Sequence, residues 1–305
     1  MPQISIIVPV YNEAENILPL FYEIKKYCPE DFEVIWVDDG STDDTLAEIQ
    51  QLSSHEERIK CVSLSRNFGH QNATLAGLNY ASGKYIITMD GDLQHPPTLI
   101  PEMIRNMKQG FDIVFTKKKC TEKVNYLRKA GGWLFYQIIN FFSATKCDEN
   151  VTEYRAFKQK VLEGVLQFTF KEKGISLKSV FNWIGYKSVT IEYTCIERQY
   201  GKTKYSFWKK IVSEAEKIIL FNPKLSKFII IFITLLLAIM LINHPLWHLL
   251  SNDQNQGTNS MHITLSVIIV IMQFFLIIMI VKLTNISHSN SRNRPLYLVK
   301  EIINF

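Results

Sequence analysis

The chain has 305 residues, of which 47% are hydrophobic and 21% charged, and carries a formal net charge of +5. That length accommodates one α/β domain of about 200 residues plus an appendage. The five cysteines, Cys28, Cys61, Cys120, Cys147 and Cys195, are odd in number, scattered and without any Cys-x-x-Cys spacing, which argues for reduced thiols over a disulfide framework or zinc site.

Met1 to Val10 lacks the charged and apolar regions of a secretory signal peptide and leads directly into a strand, so the large domain is expected to stay where it is made. Short β-rich apolar runs follow at Ile4 to Val10, Phe32 to Val37, Ile59 to Leu64, Tyr85 to Met89 and Phe111 to Phe115. Helical patterns separate them near residues 13 to 27, 43 to 53, 70 to 81 and 97 to 109. This alternation predicts a mostly parallel sheet covered by helices. Ligands bind beyond the carboxyl ends of the strands in such sheets, and three polar clusters fall there: Tyr11-Asn12-Glu13, Asp38-Asp39-Gly40-Ser41 and Asp90-Gly-Asp92.

Asp90 and Asp92 end a buried apolar strand with two carboxylates one residue apart. Alternate side chains of an extended chain share a face, so the pair can address one hard divalent cation through oxygen while leaving its other positions open to phosphate or water. Two solvated turn carboxylates are the plainer reading, and Asp-Asp-Gly-Ser likewise suits an Asx turn at a strand end.

After Thr116 the pattern changes. Lys117-Lys-Lys119 opens a basic stretch, and Trp133 to Phe142 is an aromatic-rich apolar helix pattern, compatible with a core helix or one lying on a membrane. From Phe207 to Phe221, Phe207, Trp208, Ile211, Val212, Ala215, Ile218 and Ile219 share one face, opposite Lys209, Lys210, Ser213, Glu214, Glu216 and Lys217. This reads as an interfacial amphipathic helix.

Phe228 to Ile242 and Ile263 to Val281 contain no charge. At helical rise the second reaches roughly 28 Å, enough for a bilayer core, and the first reaches about 22 Å and can be extended on either side. Both are expected to span a membrane; a buried hairpin of core helices is the alternative. The connector Asn243 to His262 has no Lys or Arg, whereas Lys209, Lys210, Lys217, Lys224 and Lys227 precede the runs and Lys282, Arg292, Arg294 and Lys300 follow them. Both termini are therefore expected in the cytoplasm, on a multi-pass protein of the cytoplasmic membrane. The positive surplus implies anionic membrane lipids and phosphates as partners, and no nucleic acid. The expected organisation is a cytoplasmic domain over 1–206, the interfacial helix over 207–224, a two-helix membrane region over 225–283 with its outer loop near 244–262, and a cytoplasmic basic tail over 284–305.

Four blocks, Ser5-Ile-Ile-Val-Pro-Val-Tyr-Asn-Glu13, Trp36-Val-Asp-Asp-Gly-Ser-Thr-Asp43, Leu64-Ser-Arg-Asn-Phe-Gly-His-Gln71 and Met89-Asp-Gly-Asp-Leu-Gln-His-Pro-Pro97, resemble in order and spacing the family 2 glycosyltransferases of GT-A fold. Arg198-Gln-Tyr-Gly-Lys-Thr-Lys-Tyr205 and the two apolar runs look like the polyisoprenyl-phosphate glycosyltransferases within it, the group of bactoprenol glucosyltransferases and dolichol-phosphate mannose synthases. The resemblance implies a Rossmann-like GT-A sheet with helices on both faces and a divalent metal, Mg2+ or Mn2+, on Asp90 and Asp92 with Gln94. It implies that Asp38 and Asp39 hold the nucleotide, that Pro9, Tyr11 and Glu13 line the same pocket with Asp90, and that the donor is UDP-linked. Arg198 and Lys204, and more loosely Arg128 and Lys117, match basic positions suited to a lipid phosphate. It leaves open a homo-oligomer.

Two departures stand out. The family's Gly-Glu-Ser-Lys-Tyr reads Gly201-Lys-Thr-Lys-Tyr205, and its Gly-Asp-Phe-Arg reads Thr152-Glu153-Tyr154-Arg155, so that any catalytic role of that Asp falls on the longer Glu153. The Gln-x-x-Arg-Trp block of processive polysaccharide synthases is absent, since Gln199 is followed by Tyr-Gly-Lys. The expected activity is inverting transfer of one sugar from a nucleotide-sugar to a polyprenyl phosphate such as undecaprenyl phosphate, for cell-envelope glycans such as lipopolysaccharide. The rivals are an anchored transferase acting on a glycolipid or protein and a non-catalytic nucleotide-sugar-binding membrane protein.

Overall fold

The computed structural model describes residues 2–29, 31–119, 151–171, 177–194 and 295–305, together with scattered positions between 231 and 284. Eight strands form one sheet: β1 Ile4–Val10, β2 Phe32–Asp38, β3 Ile59–Leu64, β4 Tyr85–Thr88, β5 Ile113–Lys119, β6 Val151–Lys158, β7 Ser188–Thr194 and β8 Val299–Ile303. The helices are α1 Ala14–Tyr27, α2 Thr45–Ser53, α3 His70–Leu78, α4 Ile100–Lys108, α5 Gln159–Lys171 and α6 Leu177–Trp183, with a 3-10 turn at Pro97–Leu99.

The strand order is β7-β5-β6-β4-β1-β2-β3-β8. β1 and β2 are buried at every position, as strands covered on both faces must be. One apolar layer joins Val8, Trp36 and Ile87 to Ile17, Leu20 and Phe21 of α1, Ile49 of α2 and Met103 of α4. The opposite layer joins Ile7, Val37 and Phe157 to Ala73 and Ala76 of α3, Val161 of α5 and Phe181 of α6. Helices on both faces of the sheet are thus observed.

The chain winds outward from β1 through β2 to β3 and then returns to place β4 on the other side of β1, with β4, β1, β2 and β3 all parallel. The order therefore reverses between β1 and β4, and a crevice opens at such a point. β4 pairs with β1 only over Ile4 to Ile7, so Pro9, which has no N–H to give, lies beyond that ladder.

Four of the strand pairings are parallel and three are antiparallel, so the sheet is mixed with a parallel majority. β6 enters antiparallel between β4 and β5, with Thr88 opposite Arg155 and Phe115 opposite the same residue, and β8 is antiparallel to β3. β8 lies within the stretch expected as a tail over 284–305 and ties its last residues to the sheet. Ser63 faces Glu301, Gln50 Nε2 donates to Glu301 Oε1 at 3.1 Å, Asn304 Nδ2 donates to the carbonyls of Ser53 and Ile59 at 2.9 and 3.1 Å, and Phe305 packs on Tyr80. The signal was faint because a five-residue edge strand holding Lys300 and Glu301 shows little apolar alternation.

At the amino end of the strands Glu33 is buried and accepts hydrogen bonds from the Ser5 and Ser82 hydroxyls, with Lys60 Nζ 2.7 Å away. Burial pushes its pKa up, but Lys60 and the hydroxyls outweigh that and hold it below the usual carboxylate range.

The chain divides into two compact units: the described residues up to Thr194 belong with 295–305 to the first, and the described positions between 231 and 284 to the second. Those positions are helical and expose Val267, Ile271, Phe274 and Ile277. Among the described residues no helix is long and apolar enough to cross a membrane. Neither run expected to span, 228–242 or 263–281, is described throughout, and the patterns at 133–142 and 207–221 lie outside the described residues.

Candidate active site

The site is built where β1, β2 and β4 end. After β1 the chain turns at Asn12, whose positive φ of 53° is a left-handed conformation Asn tolerates. Asn12 N–H donates to Ser41 Oγ at 3.0 Å and its Oδ1 accepts from Thr42 N–H at 2.8 Å, so the turns after β1 and β2 are tied together. Glu13 N–H donates to Thr45 Oγ1 at 2.9 Å, and the Glu13 carboxylate accepts from Asn16 Nδ2 at 2.6 Å.

Asp38 and Asp39 are both buried. Asp38 accepts from Ser41 N–H, three residues on, at 2.9 Å and from Ser63 Oγ at 3.0 Å. Asp39 accepts from the backbone N–H groups of Phe68 and Gly69 at 2.7 and 2.9 Å. Burial raises the Asp39 pKa, with Asp38 adding to it, while the two amides oppose the rise. Gly40, at φ +70°, lies so close to the chain that a Cβ there would meet the Arg66 carbonyl carbon at 2.5 Å. The β2 turn therefore rests directly on the loop between β3 and α3.

Beyond β4, Asp90 N–H donates to His95 Nδ1 at 3.0 Å, which leaves the proton of that imidazole on Nε2, 3.7 Å from Asp90 Oδ2. His70 Nε2, at the start of α3, stands 3.3 Å from Asp90 Oδ1. His95 is buried and stacks on Tyr154 at 5.0 Å, and Tyr154 Oη donates to the Pro96 carbonyl at 3.0 Å. Gly91 fits against β1, where a Cβ would meet Val10 Cγ1 at 2.5 Å. Asp92 Oδ1 accepts from Gln94 N–H at 3.1 Å across Leu93, whose φ is +62°.

Glu153 joins this edge from β6. Its carbonyl accepts from Thr88 Oγ1 at 2.7 Å, and its carboxylate pairs with the buried Arg155 guanidinium, which lies over the Phe181 ring at 4.6 Å. Tyr11, Glu13, Asp38, Asp39, Asp90, Asp92, Gln94 and Glu153 all lie at or beyond strand ends on this carboxyl edge, with Pro9 in the last turn of β1's ladder to β2. Lys117 lies in β5, while Arg128, Arg198 and Lys204 lie outside the described residues. His70, His95, Tyr154 and Arg155 had no role assigned from sequence; their signal was membership of the same four blocks and of the stretch around Glu153.

Among the described residues no group of three or more His, Cys, Asp and Glu side chains is gathered to hold a metal. Asp90 and Asp92, with the Gln94 amide, are instead an oxygen set of the kind that binds a hard cation together with phosphate oxygens and water.

The profile of the family described as Glycosyl transferase family 2 matches residues 5–166. An uncharacterized glycosyltransferase of Synechocystis is 33% identical over 68% of this chain and 65% of its own. The bactoprenol glucosyl transferase of Shigella phage SfV is 34% identical over 68% of each chain, so this chain spans about two-thirds of the length of these relatives. Among solved structures, a mannosyltransferase from Pyrobaculum calidifontis in complex with GDP-Man and Mn2+ superposes with a TM-score of 0.49 at 20% identity, over 72% of this chain and 62% of that one. With a family profile over more than half of its residues and a relative of 34% identity, the chain belongs to glycosyl transferase family 2.

Proposed function

We propose that the protein transfers one sugar, with inversion, from a UDP-linked donor to a polyprenyl phosphate at the cytoplasmic face of the membrane. The observation that carries the reading is the convergence of the Asp38-Asp39 turn, the Asp90-Gly-Asp92 turn and Glu153 on the crevice where strand order reverses. The acceptor class is supported by the activity for which the bactoprenol glucosyl transferase relatives are named and by the basic loop Arg198 to Tyr205 ahead of an amphipathic sequence pattern.

In the reaction an acceptor phosphate oxygen attacks the anomeric carbon as the bond from that carbon to the donor diphosphate breaks on the opposite side. The acceptor phosphate is ionised near neutral pH, so catalysis is chiefly positioning and electrostatic stabilisation. Asp90 and Asp92, with Gln94, are the residues to hold a divalent cation, which supplies charge neutralisation to the departing diphosphate. His95 orients Asp90 through the backbone contact, and His70 balances its other oxygen. Asp39 fixes the Phe68 and Gly69 amides that wall the donor side. Arg155 holds Glu153 on the opposite side, beyond β4.

Membrane attachment belongs to the same reading. It is supported by the two uncharged runs and their flanking cations, and by chain logic: 295–305 returns to the first unit, so a segment 211–294 that enters a bilayer must leave it on the side where it entered. The deciding experiment is incubation of detergent-solubilised protein with polyprenyl phosphate and a panel of nucleotide-sugars, with and without a chelator, reading the lipid product by mass. A metal-dependent polyprenyl-phosphate sugar is expected; transfer only to glycolipid or protein, or donor binding with no turnover, sinks the proposal.

A further inference from the structure

The segment 295–305 is more than a cover for the β3 edge. Where β3 gives way to the loop leading to α3, Ser65 N–H donates to the Leu298 carbonyl at 2.9 Å. The next residues of that loop support the donor side in turn. Arg66 and Asn67 form the surface on which Gly40 rests, Phe68 and Gly69 give their amides to Asp39, and His70 reaches Asp90. The loop Ser65–Gly69 and the first residue of α3, His70, thus join the segment to both carboxylate clusters.

The same segment also holds the far end of α3. Tyr297 is hydrogen-bonded to Asn79, the residue after the helix, and Phe305 packs on Tyr80 at 4.8 Å and under Lys60 at 5.0 Å. Leu296, Tyr297 and Val299 pack against the apolar layer that Phe68 also borders. Ser63, opposite Glu301 in the ladder, gives its hydroxyl to Asp38. At its start α3 is capped by Gly69, which has no side chain to accept an orphan amide.

We propose that residues 295–305 are a positioning element of the donor site, with Leu298 and Tyr297 as its principal contacts, acting through the Ser65–His70 loop on Asp39 and Asp90. The segment touches neither reactant; it sets where the loop amides and the His70 imidazole stand. The inference rests on the reading of this edge as a nucleotide-sugar site. Its thermodynamic content is that β8 docking and nucleotide binding stabilise each other, since both favour one placement of the loop.

The test uses the full chain, titrated with UDP and Mn2+ by calorimetry, alongside hydrogen exchange at the Phe68 and Gly69 amides and lipid-dependent kinetics. Glu301→Pro, which breaks the β8 ladder, is expected to raise the Kd for UDP about 10-fold, to speed exchange at both amides, and to leave the KM for polyprenyl phosphate within about 2-fold. Tyr297→Phe combined with Phe305→Ala is expected to give the same pattern at about 3-fold, and it decides the matter if Glu301→Pro fails to fold. Fast exchange across β8 with the UDP Kd unchanged overturns the proposal, as does an equal loss of donor and lipid affinity. A wild-type chain that binds neither UDP nor GDP instead overturns the donor reading on which the proposal stands.

Discussion

Asp92 and Asp39 show how differently two carboxylates on one edge can be held. Asp39 is buried against two amides, whereas Asp92 is only partly buried, in a turn where Leu93 adopts a left-handed conformation. If Asp92 neutralises the departing diphosphate through a cation, Asp92→Asn is expected to lower turnover by at least 100-fold, about 3 kcal/mol of lost charge stabilisation, with the thermal midpoint unchanged. Turnover in chelator measures the same contribution by another route, and near-normal turnover there refutes the assignment. Under the proposed function Arg198 is assigned to the acceptor phosphate. Arg198→Ala is expected to raise the apparent KM for polyprenyl phosphate by roughly 10-fold to 150-fold, the loss of one charge-assisted contact, and Arg198→Lys to recover part of it because the charge survives and the planar fork does not. Nucleotide titration beside lipid kinetics separates the two sites; a loss confined to donor binding assigns this loop to the diphosphate.

At the scale of elements, Gly40 carries the close backbone-to-backbone approach in the site. A methyl group there meets the Arg66 backbone at 2.5 Å and also strains a φ of +70°, so Gly40→Ala is expected to cost about 2 to 4 kcal/mol by denaturant unfolding and to weaken donor binding. Retention of both stability and affinity would mean that the two loops move apart freely. The elements that strand and helix periodicity could find were those of the first 115 residues. β1 to β5 and α1 to α4 each bury a continuous or 3.6-periodic apolar set, and each boundary falls within a few residues of the expected one. β6 was not visible, because Val151-Thr-Glu-Tyr-Arg-Ala-Phe-Lys158 buries an Arg and interrupts its apolar pattern with Glu153. β8 was hidden for the opposite reason, being short, charged and on an edge. The site itself was legible in its carboxylates, since Asp pairs at strand ends have a local signature. The histidines that orient Asp90 were not, because only tertiary pairing brings His70 to it from another loop.

For the molecule as a whole, the proposed membrane attachment and the charge flanks predict a topology that can be measured. Cysteine labelling in a background without native cysteines is expected to find Asn255→Cys reachable from outside the cytoplasm and Phe305→Cys from inside; the reverse at position 255 refutes the two-span arrangement. Acid response follows from the ion pairs. Glu33 is held low, against its burial, by Lys60 and hydroxyls, and Glu56 is lowered to about 2, chiefly by Arg58 and then Lys25. A carboxylate with a depressed folded value contributes stability above its ordinary value and loses it as pH falls toward the folded one. Asp39 has the opposite sign, its raised value favouring the native state in acid, but among the described carboxylates it is set against the two glutamates and the similarly lowered Asp112. The urea midpoint is therefore expected to fall between pH 5 and pH 2.5, and to fall less in Glu33→Gln.

The place of β8 also bears on the order of synthesis. The strand is translated after residues 211–294, yet its partner β3 was made long before, so the β3 edge stays open while the intervening segment is produced. An open edge is a template for wrong pairing, and a contact between residues 63 and 301 carries the slow closure of a very long loop. The final pairing step thus comes after the rest of the sheet can have formed, which makes it a checkpoint in time: a chain interrupted before residue 295 leaves β3 exposed, marked for aggregation or proteolysis.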